Sequence, residues 1–138
     1  MLTTTQLAEM MRHDPTFVGV FPINRLPPYL LNKPSSIIVN LDEHYKPGSH
    51  WVAIKLEKFK PAYYFDSFGN YPPNEIICFM ERNAKTWIHN DKKYQSETSS
   101  FCGYYCVLFL IFGIEKFSRI MRECNYENNQ VIIKQFFN

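Results

Sequence analysis

Gln95-Ser96-Glu97-Thr98-Ser99-Ser100-Phe101-Cys102-Gly103-Tyr104-Tyr105-Cys106-Val107-Leu108-Phe109-Leu110 passes from a polar loop, through a Cys-Gly pair, into a nearly unbroken apolar run. Such a run is long enough for a buried helix, and Ser99 or Ser100 is the natural cap for its start. Cys102 then falls in the first turn. Free backbone N–H groups and the positive end of the helix dipole favour a thiolate there. Val107, Leu108, Leu110 and Ile111 are expected to bury the helix behind it. A thiol held this way becomes a nucleophile once a base, an orienting group and oxyanion donors are supplied.

Outward from this stretch, the chain supplies strands. Ser36 to Asn40 is β-branched, His50 to Leu56 alternates, and Ala62 to Ser67 follows a Lys58-Phe59-Lys60-Pro61 turn. Adjacent in sequence, these three read as a meander. His50 then opens one strand where Asp66 closes its antiparallel neighbour, so both lie at one edge of the sheet. Thr3 to His13 reads as a short helix, Phe17 to Phe21 as an extended segment, and Glu75 to Ile88 as a helix with a polar lapse at Asn83. Tyr94-Gln95 is a candidate short strand, and Val131 to Phe137 a last apolar segment docking on the sheet. The expected fold is α+β: a central mixed, largely antiparallel sheet packed between helices, with the nucleophile at the N-terminus of a buried helix. Residues 1–138 are expected to form one domain.

Composition narrows the function. The chain is 46% hydrophobic and 17% aromatic, a globular balance rich in rings, and its net charge of +2 makes no case for nucleic acid. Four cysteines are too few for a disulfide scaffold, the start of the chain has no signal-peptide pattern, and no apolar run approaches a membrane span. An intracellular, reducing location without membrane attachment is expected. Cys102 and Cys106 are four apart with no second pair, which does not make a zinc site, so neither metal nor cofactor is expected. Taken singly, each candidate has a plainer role. A His at a strand start is a polar edge residue, Asp66 in Asp-Ser-Phe-Gly a turn cap, and Gln95 an ordinary loop residue. Cys78, Cys106 and Cys124 are read as small core hydrophobes.

The order His50-Trp51, Asp66 after a Tyr-Tyr-Phe strand, Gln95, then Cys102-Gly103 opening a helix resembles the adenain-like cysteine proteases. These are the adenovirus endopeptidase and its relatives in Maverick/Polinton-type elements, in the same clan as the proteases of ubiquitin-like proteins. The seven-residue step from Gln95 to Cys102, and Cys-Gly-x-x-Cys-x-x-Phe-Leu over Cys102 to Leu110, are similar to the adenain branch. The resemblance implies a cysteine endopeptidase with Cys102 as nucleophile, His50 as base, Asp66 orienting the imidazole and Gln95 in the oxyanion hole. It further implies Trp51 and Gly103 as substrate-binding residues, Trp51 as a wall of the active site and Gly103 at a close approach of neighbouring backbone, with cleavage at Gly-containing sites of viral capsid or core precursors. His44, in the loop before His50, is the competing base and lacks the Trp partner.

Three features depart from the adenovirus enzymes. The acid is Asp66 instead of Glu, only 36 residues follow Cys102, and no cysteine lies between His89 and Phe101 to bond an activating peptide. Activation by such a peptide, or by DNA, therefore has no support in the sequence. A monomer is expected, placed in the virion or in the host nucleus or cytoplasm if the origin is viral. Two alternatives stay open: a deubiquitinase or ubiquitin-like-modifier protease, and a catalytically inactive binding module of the same fold.

Overall fold

The computed structural model describes residues 1–30, 33–42 and 50–138. Helix α1 (Thr4–Met10) leads to strand β1 (Phe17–Pro22), a 3-10 turn (Ile23–Arg25), and strands β2 (Ser35–Asn40), β3 (Trp51–Leu56) and β4 (Ala62–Phe65). Then come α2 (Asn74–Asn83), β5 (Trp87–His89), α3 (Cys102–Ile120) and α4 (Tyr126–Phe137). The five strands lie in the order β1-β2-β3-β4-β5. The expected meander forms its antiparallel centre, while β1 joins β2 and β5 joins β4 in parallel at the two edges. The sheet is thus mixed, in an α+β arrangement.

Alternation along the central strands sorts side chains onto two buried faces. Ile37, Val39, Val52, Ile54 and Tyr64 point to one face, where Ile76, Phe79 and Met80 of α2 cover them. Ile38, Trp51, Ala53 and Phe65 point to the other, under Leu7 of α1, Val107 to Leu110 of α3 and Ile133 of α4. At its centre the Phe65 ring stacks on Phe109 at 4.6 Å and meets Phe117 edge-on at 5.0 Å. Each such pair contributes about 0.5–1.5 kcal/mol beyond its buried area. Here the aromatic content of the chain is spent on fixing α3, which carries Cys102, against the sheet.

Several expectations change. Helix α1 is capped by Thr3 in a reciprocal capping box with Gln6 and ends sooner than expected. Helix α2 stops at Asn83, because this buried amide turns back to donate to the Phe79 carbonyl and to accept from the Leu30 N–H. The chain beyond it is extended, so Trp87–His89 is an edge strand instead of a helical turn. Tyr94-Gln95 forms no strand. The N-cap of α3 is Phe101, without a side-chain cap; Ser99 Oγ instead accepts the Phe101 N–H at 3.2 Å. Ile111 is exposed, and α3 kinks at Gly113, whose φ of 78° suits glycine. Of the three cysteines read as core, only Cys106 is buried; Cys78 and Cys124 are exposed. Among the described residues, no helix is long and apolar enough to cross a membrane.

Candidate active site

Strands β3 and β4 pair with Ala53 opposite Phe65 and Ile54 opposite Tyr64. Continued by the same register, His50 falls opposite Phe68, with Asp66 on the diagonal, a separation that side chains span. The His50 and Phe68 rings are stacked, centroids 4.5 Å apart, and His50 Nε2 lies 2.6 Å from Asp66 Oδ1. The same oxygen accepts the Phe68 N–H at 2.8 Å. Asp66 is only 1% exposed. Its backbone is gripped by Asn90, which accepts the Asp66 N–H at 2.9 Å through Oδ1 and donates to the Asp66 carbonyl at 2.6 Å through Nδ2. That carbonyl also accepts the Gly69 N–H, closing the turn after β4. Gly69 has a φ of 74°, and a Cβ there would meet the Asp91 and Lys92 carbonyl oxygens at 2.9 Å, so the turn requires glycine.

Cys102 is the first residue of α3, where backbone N–H groups have no acceptor within the helix. Its Sγ accepts the Trp51 backbone N–H at 3.4 Å, which ties the thiol to the start of β3, next to His50. Nδ1 of His50 is buried and completes no hydrogen bond among the described residues. Burial pushes His50 against carrying charge, but the hydrogen bond to Asp66 and the interaction with the nearby Cys102 thiol override it and raise the pKa to about 9. One turn along α3, burial pushes the Cys106 thiol well above its ordinary pKa, leaving it unreactive.

Gln95 sits in the interior, 0% exposed. Its Nε2 donates to the Ser99 carbonyl at 2.9 Å, and its Oε1 accepts from the Ser67 hydroxyl at 2.5 Å. The Ser67 carbonyl also accepts the N–H groups of Tyr94 and Gln95. The residue after Asp66 thus holds the Gln95 segment at three points. Among the described residues, no three His, Cys, Asp or Glu side chains gather where they could hold a metal ion.

No family model matches the chain. It is 32% identical over 87 residues to a cysteine protease of African swine fever virus, isolate Tick/Malawi/Lil 20-1/1983, covering 53% of this chain and 31% of that protein. It is 30% identical over 112 residues to the protease of bovine adenovirus 2, covering 70% of this chain and 54% of that protein. In sequence, the chain is similar to viral cysteine proteases. A thiol protease of Acanthamoeba polyphaga mimivirus, described as putative, is also 33% identical over 85 residues, covering 54% of this chain and 28% of that protein. The chain spans about a third to a half of the length of these viral cysteine proteases. In fold, a crystal structure of the African swine fever virus protease matches 100% of this chain and 67% of its own, with a TM-score of 0.66 at 18% identity.

Of the residues singled out from the sequence, the structure brings His50, Asp66 and Cys102 together and sets Gln95 on the segment that leads to Cys102. Trp51 is placed differently from the expected wall. Its side chain is 2% exposed in the core and its indole N–H donates to the Leu2 carbonyl at 3.0 Å, so it meets Cys102 through its main chain. Gly103 is buried under the N-terminal segment, where a Cβ would press on Leu2 and Leu7 side chains at 3.1–3.2 Å; the close approach is to side chains, not to backbone. His44 and the loop around it lie outside the described residues. Sequence reading missed Ser67, Phe68 and Asn90 as parts of the site. Asp66-Ser67-Phe68-Gly69 reads as an ordinary turn, and Asn90 as one more polar loop residue; their partners are up to 28 positions away.

Proposed function

We propose that this chain is a cysteine endopeptidase of a virus or virus-like element, with Cys102 as nucleophile, His50 as general base and acid, and Asp66 as the group that orients the imidazole. The observation that carries this reading is the 2.6 Å contact of His50 Nε2 with Asp66, which leaves Nδ1 as the nitrogen to face the thiol. The kinship with viral cysteine proteases supports the same assignment. Nδ1 takes the thiol proton, and the carboxylate stabilises the resulting imidazolium. The thiolate, at a helix N-terminus and holding the Trp51 N–H, attacks the scissile carbonyl carbon. The negative oxygen is received by the Cys102 N–H and by the second Nε2 hydrogen of Gln95, the first being held by Ser99. His50 then protonates the leaving amine, and water releases the acyl group from Cys102. Capsid or core precursors with Gly-containing cleavage sites are the proposed substrates.

The test is hydrolysis of peptides carrying Gly next to the scissile bond by wild type and by Cys102→Ala. Wild type should cleave, and the variant should lose about 10³-fold or more in kcat. Equal cleavage by the folded Cys102→Ala protein would overturn the assignment.

A further inference from the structure

We propose that Ser67 is a positioning residue for catalysis, acting through Gln95; this rests on the proposed role of Gln95 at the oxyanion. The orientation of the Gln95 amide follows from its neighbours. The Ser99 carbonyl can only accept a hydrogen bond, so the group 2.9 Å from it must be the amide nitrogen. Oε1 therefore faces Ser67, and the Ser67 hydroxyl must donate to it. With both groups fully buried, no water competes for either position. Ser67 thereby fixes which end of the amide presents N–H groups and the plane in which they lie.

Its main chain does the rest, since the Ser67 carbonyl receives the N–H groups of Tyr94 and Gln95 at 2.9 and 3.2 Å. Without the hydroxyl, Oε1 would be a buried acceptor with no donor, and the amide would gain by rotating or shifting to find one. Either movement displaces the remaining Nε2 hydrogen from the position where negative charge develops. Asp66 and Ser67 are adjacent in the chain, so one turn sets both the carboxylate behind His50 and the amide toward the oxyanion.

The experiment is a double-mutant cycle of Ser67→Ala and Gln95→Ala on peptide hydrolysis, with kcat and KM resolved and circular dichroism as the check on folding. Gln95→Ala should lower kcat by roughly 10²–10³ with KM within about twofold. Ser67→Ala should lower kcat by about 10-fold, again with little change in KM, and should cost nothing further in the Gln95→Ala background. Ser67→Thr, which keeps the donor, should recover most of the loss. A wild-type kcat in Ser67→Ala overturns the inference, as do losses that multiply in the double variant, a Ser67→Thr protein as impaired as Ser67→Ala, or a Ser67→Ala protein that fails to fold while Ser67→Thr brings no recovery. A wild-type kcat in Gln95→Ala overturns both this inference and the oxyanion role, while leaving Cys102 as nucleophile intact.

Discussion

At the scale of the residue, Asp66 is a carboxylate taken almost wholly out of water, and its hydrogen bonds decide whether that is tolerable. Oδ1 receives His50 and the Phe68 N–H, while Oδ2 has no partner among the described residues. The arrangement favours a charged His50, whose pKa is held near 9 against an ordinary 6.5. Because the folded value is the higher one, the stabilisation is complete below about pH 6.5 and fades as pH rises through about 9. The whole shift is worth on the order of 3 kcal/mol, shared between Asp66 and Cys102. Asp66→Asn should therefore separate from wild type in thermal melts at pH 6 and converge toward it near pH 9.5. An equal gap at both pH values would mean that His50 is not charged by this pair. His50 and Asp66 were legible in the sequence because each sits at the end of a patterned strand. Phe68 and Asn90 were not, since neither carries a pattern and each acts through a partner that only the folded turn supplies.

At the scale of the element, short polar segments hold the site where regular structure ends. Helix α4 is fastened by Asn129, 0% exposed, which donates to the Tyr94 carbonyl at 2.9 Å and the Arg122 carbonyl at 2.7 Å. It also accepts the Arg122 N–H at 3.0 Å. Tyr94 directly precedes Gln95, so this amide braces the segment leading to α3. Asn129→Ala would strand two carbonyls and an N–H, at a cost of about 2 kcal/mol, or roughly 7 °C in Tm. A melt within 1–2 °C of wild type would show that water replaces these bonds. The same kind of amide explains where sequence reading overshot. Asn83 looked like a lapse in a helix running to Ile88, whereas its folded role is to end α2 and hold the Leu30 N–H. The edge strand β5 was invisible because three residues carry too little periodicity, and its parallel partner β4 lies across an intervening helix. The central strands and α3 were legible because long apolar patterns report burial directly.

At the scale of the whole molecule, the sheet joins what the chain separates: His50 directly precedes β3, Asp66 directly follows β4, and α3, packed on the sheet, brings Cys102 to the Trp51 N–H. Exposure then makes a sharp test of reactivity. Cys78 and Cys124 are open to solvent, whereas Cys102 is 2% exposed, so simple access favours the other two cysteines over Cys102. Only the imidazole and the helix start favour Cys102. The most direct measurement is incubation with a peptide vinyl sulfone ending in Gly, followed by mass spectrometry of the modified residue in wild type and His50→Ala. A single adduct on Cys102 is expected in wild type, with labelling at least about a hundredfold slower in His50→Ala. Adducts first on Cys78 or Cys124, or Cys102 labelling that is indifferent to His50, would contradict this expectation.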